Sequence, residues 1–588
     1  MYRTAFLPAL VALFVAAFSL SDRPGALQSP LATDAFDGAR AAATLHALAH
    51  AYPDRRAGSV GDLGLARYVA RALGARDLRT GQAGFDVQRI VAHGRTASGR
   101  GDLVTVVATR PGLSSRRIVV VAHRDAVDRP GLASLSGTAA LLELARVFRD
   151  TSLTKTLVLV STSGATTGFA GARAWAQSAA GGPVDAVLVL GDLAGRKVRK
   201  PQIVPWRAGT GPPPLRLERT VQAAVRAETG RDAGGAHAGG QWARRALPFT
   251  VAEQGVIGAA GLPAVELSVS GELGPPAGEA VSDHRLAQFG RAALRSITAI
   301  DAAGSFDQGG RGIVTLRKLL PDWAIRLLVG ALLVPALLAA VDAFARARRR
   351  RLPVALWLRW LAIAAVPVLA AWLWARVLGF TGALPAPDSP VLPAAFPLDT
   401  GGALALASLI PVAAGACWAA RALPGRSPAD GAAGGFAAAT GLVICGTAAV
   451  AWVPNPYAAA ILLPAAHLWL FAVAPESRLR GGWAVAALAG GLLLPALLVL
   501  YAALALGLGP LRLAWTVLLG AAGGAGLGSA VLLAGLVAAL AGLVRVMLAR
   551  RRARRATGTA PEPDIRTRGP LSYAGPGSLG GTESALKR

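Results

Sequence analysis

Beyond residue 320 the chain carries one apolar run of about 20 residues after another, and a helix of that length matches the hydrocarbon thickness of a bilayer. The runs fall at 324–345, 353–379, 401–420, 432–453, 456–474, 482–508 and 513–544, which makes seven expected spans. Before residue 320 the apolar stretches are short and alternate with charged or Gly/Pro-rich segments, as in a soluble domain. The 588 residues therefore divide into a soluble part and a membrane part, and the high hydrophobic content, 53%, is concentrated in the second.

A further apolar stretch, Thr4 to Leu20, follows Met1-Tyr2-Arg3 and has the form of a signal sequence. Ala17-Phe18-Ser19 makes a poor small-x-small cleavage site, so residues 1–21 are expected to stay attached as a signal anchor. Arginines follow alternate spans: Arg346 and Arg348 to Arg351 after the first, Arg421 and Arg426 after the third, Arg478 and Arg480 after the fifth, Arg550 to Arg555 after the last. The loop 380–400 has no Lys or Arg. The positive-inside rule then puts the clusters and the C-terminus in the cytoplasm and residues 21–320 outside, with Arg376 and Arg512 alone on the wrong side. The Gly-rich stretch 520–528 leaves two outcomes for the last segment, a break into two shorter helices or close packing through small residues. The tail 557–588, rich in Pro, Gly, Ser and charge, is expected to be disordered.

Many of the Lys and Arg residues behind the net charge of +28 lie in short clusters beside apolar spans, where membrane lipid headgroups account for them, so no nucleic acid partner is expected. Cys417 and Cys445 both fall inside apolar spans, which excludes a disulfide framework. Among the spans the only acidic or histidine residues are His467 in the fifth and Asp342 near the end of the first, which gives an ion or proton path little footing. Richness in Ala, Gly and Arg fits a high-GC bacterial gene and hence a multi-pass plasma-membrane protein.

From Phe36 to Asp301 short β-branched runs alternate with amphipathic stretches: strand 117–123, helix 137–148, strand 156–161, helix 169–177, strand 186–192. That order predicts βαβ crossovers, hence an α/β fold with a mostly parallel sheet flanked by helices, followed by an all-α transmembrane bundle. The expected domains are 1–21, 36–303, 324–544 and the tail 557–588. Ligands in such sheets sit at the carboxyl ends of the strands, so His123, Asp125, Ser161 to Gly168 and Asp192 are the residues to examine.

The segments AHRDAV, PGLASLSGTAALLELAR, GATTGFAGARAW, VLGDLAG and GLPAVEL, in that order across residues 36–303, resemble metallopeptidase family 28, the co-catalytic zinc exopeptidases. The resemblance implies two zinc ions on five ligands, a His, a bridging Asp, a Glu, a second Asp and a distal His, with a further Glu as general base. Carried over by position, His123 matches the first ligand, Asp192 the second Asp, and Asp125 the acid that orients the imidazole. The bridging Asp falls on Ala133 or Ser134, the general base on Ala165 and the Glu ligand on Thr166. No His matches the distal ligand: His284 reads as the start of the final helix, and His237 in GGAHAGG as a loop residue. Glu253, Glu266 and Glu272 are further acids that match none of the family's ligands.

Two of five ligands survive where a catalytic zinc normally has three from the protein. The expectation is a catalytically inactive extracytoplasmic binding or scaffold domain without resident zinc, whose ligand is a peptide or protein outside the cell. Without metal, Asp192 is expected to cap the turn near Gly195 and His123 to be a buried histidine hydrogen-bonded to Asp125. The alternatives are an active zinc-dependent aminopeptidase on a rebuilt site and a transport or lipid-handling protein working through its spans.

Overall fold

The computed structural model describes residues 6–29, 33–75, 84–96, 99–304, 306–387, 395–422, 433–474 and 481–558. The tail expected to be disordered lies outside them apart from residues 557 and 558, which end the last helix. The chain opens with α1 (Leu7–Phe18), β1 (Ser21–Asp22), α2 (Gly38–Ala51) and α3 (Val60–Gly74). The central stretch then follows: β2 (Asp86–Thr96), β3 (Gly99–Arg110), β4 (Ser114–His123), α4 (Leu132–Arg149), β5 (Lys155–Thr162), α5 (Ala170–Ala179) and β6 (Val184–Leu190). β7 (Ile203–Val204), α6 (Leu215–Thr229), α7 (Ala238–Ala246), α8 (Glu253–Ala259), β8 (Ala264–Leu267) and α9 (Asp283–Ala302) complete the α/β part.

Seven strands form one sheet in the order β2-β3-β5-β4-β6-β8-β7. β5, β4, β6 and β8 run parallel, as the strand-helix alternation predicts. The β2–β3 pair is antiparallel, and β3 and β7 join their neighbours antiparallel, so the sheet is mixed. Side chains alternate between faces along each strand. One face, with Ile118, Val120, Leu157, Leu159, Leu188 and Leu190, packs with residues of α2, α3, α4, α6 and α9. The other, with Val119, Val121, Val158, Val160, Val187 and Val189, packs with α5 and α8. Burial on both faces explains why these strands read as unbroken apolar runs.

A small sheet, β1 with β9 (Gly312–Thr315) and β10 (Lys318–Pro321), joins the end of α1 to the start of the bundle. The bundle consists of α10 (Asp322–Arg349), α11 (Val354–Phe380), α12 (Thr400–Ala422), α13 (Ala433–Trp452), α14 (Pro456–Val473), α15 (Gly481–Leu506), α16 (Pro510–Ala522) and α17 (Leu527–Gly558). Among the described residues seven helices are long and apolar enough to cross a membrane, and this is a multi-pass membrane protein. The seventh is α17 alone. The expected span 513–544 is corrected: the chain breaks around Gly523 and Gly526, and α16 is a separate helix of 13 residues.

α16 begins just after α15 ends, and its far end lies beside the end of α11, where Gly379 touches the Ala522 carbonyl. Both of its ends therefore sit at the end of the bundle that carries the α/β domain. Trp515, Leu518, Leu519 and Ala522, spaced one helical face apart, join the apolar cluster of the second sheet face. The two wrong-side arginines have places here. Arg376 donates to the last carbonyls of α16, at Ala522 and Gly523, where helix ends leave acceptors open. Arg512 stands in the first turn of α16.

The domain is fastened to the same end of the bundle by polar contacts. Arg245 grips Asp322 with two hydrogen bonds of 2.8 and 2.7 Å, and Asn455 donates to the Arg245 carbonyl at 2.8 Å. At the opposite end lie Arg346 to Arg349 of α10 and Arg550 of α17, the latter donating to the carbonyls of Ala472, Val473 and Ala474 at the end of α14. His467 sits 2.9 Å from the Leu332 carbonyl oxygen, a hydrogen-bonded structural histidine rather than a relay. α1 has 12 described helical residues, about 18 Å, and packs on α10 near Ala331; in these residues it does not cover the roughly 30 Å of a hydrocarbon core.

Candidate functional site

Strand register decides what lines the carboxyl end of the sheet. His123 pairs with Thr162 across β4 and β5, and Glu266 pairs with Val189 across β8 and β6. His123 is two residues past Val121, Thr162 two past Val160, so all three polar side chains share the face that looks toward α5, α8 and the bundle. α8 starts on that face with Glu253. The result is a cavity of about 520 Å3 lined by His123, Asp125, Ser134, Ala165, Thr166, Asp192, Glu253, Glu266 and Glu272 from the domain. Leu506, Gly507, Leu508 and Arg512, from the α15–α16 corner, line it as well.

The His123 Nδ1 lies 3.6 Å from Glu253 Oε2, an ion-pair distance, while Glu253 Oε1 accepts from the Thr162 hydroxyl. Burial works against a charged imidazole, but Glu253, with Asp125 and Glu266 behind it, outweighs burial and raises the His123 pKa to about 9. Glu266 is buried, with its Oε2 lacking any hydrogen-bond partner among the described residues, and its Oε1 lies where a Cβ on Gly191 would be. Burial pushes its pKa up to about 8, against the pull of His123.

Asp125 was expected to orient His123; its carboxylate oxygens are taken elsewhere. Oδ1 accepts from the Ala165 amide at 3.1 Å, and Oδ2 from the Thr166 amide at 2.9 Å and hydroxyl at 2.7 Å, so the facing partner of the imidazole is Glu253. Asp192 is likewise engaged. Its Oδ1 accepts from the Ala194 and Gly195 amides at 2.9 and 2.7 Å, and its Oδ2 from the Ser270 hydroxyl. It caps the turn after β6, and burial raises its pKa, opposed by the Ser270 bond and the two amides. Ala165 and Thr166 line the cavity as a single 3-10 turn; Ser134 lines it too, and Ala133 is buried beside it in α4. His237 and His284 are exposed, at the start of α7 and in the first turn of α9.

These donors do not fit a two-zinc centre. Two adjacent divalent cations need carboxylate oxygens free to bridge them. Here the places of the bridging Asp and of the Glu ligand hold no carboxylate, the oxygens of Asp192 already accept from two amides and a hydroxyl, and no three His, Cys, Asp or Glu side chains among the described residues are arranged to hold a metal ion.

Sequence reasoning missed Glu253 and Glu266 as members of this site. A signal was available for the second: Glu266 interrupts the apolar strand Ala264-Val265-Glu266-Leu267, and an acid amid buried neighbours needs a reason. Just outside the cavity, the buried Arg55 ties its rim together, donating to the carbonyls of Arg124 at 3.2 Å and Gly131 at 2.9 Å.

Residues 105–233 match the family model for Peptidase family M28, so the likeness read from the sequence motifs is shown for this stretch of the α/β domain. Among solved structures the chain is similar to the LapA aminopeptidase of Legionella pneumophila, at 15% identity over 47% of this chain and 74% of that one, TM-score 0.36. It is also similar to a glutaminyl cyclase of Fimbriiglobus ruber, at 16% identity over 46% and 97%, TM-score 0.33. A leucine aminopeptidase precursor of Bacteroides thetaiotaomicron follows at 15% identity over 45% and 97%, TM-score 0.34. No curated protein matches the sequence.

The site sets a pH dependence. His123 has a folded pKa of about 9 against the ordinary imidazole value of 6.5, so its stabilising contribution is complete below about pH 6.5 and lost as pH rises through about 9. Glu266, at about 8 against 4.5, also holds its proton more tightly when folded, and stability drains as pH rises between those values. The signs agree. The expected result is that Glu266→Gln gains melting temperature relative to the parent protein as pH is raised from 5 to 9. A difference that does not change with pH would show that Glu266 ionises freely in the fold.

Proposed function

We propose that this chain is a membrane-anchored binding protein whose M28-like domain lies on the non-cytoplasmic side and holds a ligand without hydrolysing it. One observation carries the reading: the position of the family's general base is Ala165, and Asp125 reaches across to cap the turn it occupies. Neither a methyl group nor the Thr166 hydroxyl takes a proton from water at neutral pH. The second retained acid, Asp192, serves a turn. The bundle supports this sidedness, since the arginine-rich helix ends lie opposite the α/β domain, as the positive-inside rule asks of a domain outside a plasma membrane with its C-terminus inside. α1, with its C-terminal end at the domain, serves as a signal anchor. Membrane lipid surrounds the bundle, the ligand comes from outside the cell, and nucleic acid is no partner.

The convergence of His123, Glu253 and Glu266 favours a second reading, a hydrolase rebuilt on one zinc. The deciding experiment is elemental analysis of the full chain, purified in detergent and dialysed against trace zinc, beside a His123→Ala variant, with aminopeptidase activity measured on both. The expected result is no stoichiometric zinc and no hydrolysis in either. Zinc that is bound by the parent protein and lost in the variant would establish the hydrolase instead.

A further inference from the structure

The cavity is a composite of two environments. Its floor carries the buried carboxyl of Glu266 with an unsatisfied Oε2, next to Glu253. One wall is apolar and comes from the bundle, through Leu506, Gly507 and Leu508 at the end of α15. At the rim stand two exposed arginines, Arg199 and Arg512, whose side chains make no ion pair or hydrogen bond among the described residues. An unsatisfied carboxyl oxygen in an enclosed site calls for a donor, and a charged one satisfies it best. Two exposed guanidiniums at the mouth suit a phosphate.

α15 ends and α16 begins at this corner, so the cavity lies where the end of the bundle meets the domain. A molecule with a primary ammonium, then a phosphate, then an apolar body fits all three features in order.

We propose that the cavity binds the headgroup of a primary-ammonium phospholipid, of the phosphoethanolamine type, from the adjoining leaflet. The ammonium goes to the open Oε2 of Glu266, while Glu253 stays with His123 and Thr162; the phosphate goes to Arg512 and Arg199, and the glycerol and chains leave past Leu506 and Leu508. The proposal deepens the binding-protein reading and rests on it. A quaternary ammonium has no N–H to give Glu266, so phosphatidylcholine is the informative comparison.

The experiment uses the full chain in detergent, titrated with dihexanoyl phosphatidylethanolamine, dihexanoyl phosphatidylcholine, dihexanoyl phosphatidylglycerol and an alanine dipeptide amide, with heat of binding as readout. The ethanolamine lipid is expected to bind at least about tenfold more tightly than the choline lipid, a charged hydrogen bond being at stake. Glu266→Gln should erase that preference, and Arg512→Ala should weaken binding of the ethanolamine lipid about tenfold or more. Melting curves of both variants at pH 6 establish that they fold.

Equal binding of all three lipids, or a preference untouched by Glu266→Gln, overturns the proposal. Tight binding of the dipeptide amide with none of the lipid makes the cavity a peptide site and overturns it as well. Zinc and peptidase activity measured on the same preparation report separately on the binding-protein reading: stoichiometric zinc would sink that reading whatever the lipids do.

Discussion

Replacing Arg124 with Met should cost about 3–5 kcal/mol, the usual price of leaving a buried charge without its partner. Arg124 and Asp62 are both fully buried, and the Arg124 Nε lies 2.8 Å from Asp62 Oδ1. The guanidinium also donates to the carbonyls of Ser161 at 2.9 Å and of Val104, so it joins β3, β4, β5 and α3 at one point. Asp62 in turn accepts from the Gly58 amide at 2.9 Å and the Ser163 hydroxyl at 2.6 Å. Burial raises the Asp62 pKa, and Arg124 is the chief influence holding it down. Without the arginine, a carboxyl is stranded in the core and the carbonyls of Asp62, Ser161 and Val104 lose this donor. Against a typical domain stability of about 5–15 kcal/mol, the loss should be visible as a sharply lowered melting temperature and poor recovery from membranes. Asp62→Leu combined with Arg124→Met should recover part of the loss, because the stranded charge is gone. A single variant that melts like the parent protein would show that the pair is not an obligate part of the fold.

The second large effect is expected at Gly137. A Cβ there would sit 2.3 Å from the Leu190 carbonyl oxygen and 2.7 Å from that of Gly191, both backbone atoms of the strand end that leads to Asp192. Neither side can yield cheaply: α4 is wedged on the sheet by Leu135, Ala139 and Ala140, and β6 is the middle of three parallel strands, β4, β6 and β8. Gly137→Ala is expected to cost about 3 kcal/mol, at the upper end of overpacking. Thermal unfolding of the purified chain checks it, with Ala133→Ser nearby as a smaller perturbation of the same helix.

Much of the fold was legible because it follows periodicity. The βαβ run from β4 to β6 and the spans α10 to α15 are announced by unbroken apolar stretches of the right length. The β2–β3 hairpin was not announced: β2 is largely exposed and mixes polar with apolar residues, so although β3 carries the apolar run Leu103 to Ala108, its partner strand has no such run to mark it. α16 was read together with the following span, since an apolar helix lying at the membrane edge has the same composition as one crossing it.

The site was legible only where motifs are local. His123, Asp125, Asp192, Ala165 and Thr166 were found by spacing, and the structure places all five around one cavity. Their bonding was not written in the spacing. Asp125 serves the turn at Ala165 and Thr166 because that turn's amides point at it, and the imidazole is left to Glu253, far along the chain. Glu253 and Glu266 enter through the parity of β8 and the start of α8, which depend on how strands are ordered in space.

The apolar cluster on the second sheet face runs without a break from Val121 and Val160 through Trp175 and Ile257 into Phe396, Trp515 and Leu519. The strands that begin this core leave the ribosome early, and the residues that complete it leave near the end. Until α16 has been placed against it, the α/β domain holds an unfinished hydrophobic layer. Its final consolidation is thus tied to completed insertion of the bundle, and the domain expressed alone should be sticky, slow to settle and readily recognised by quality-control proteases.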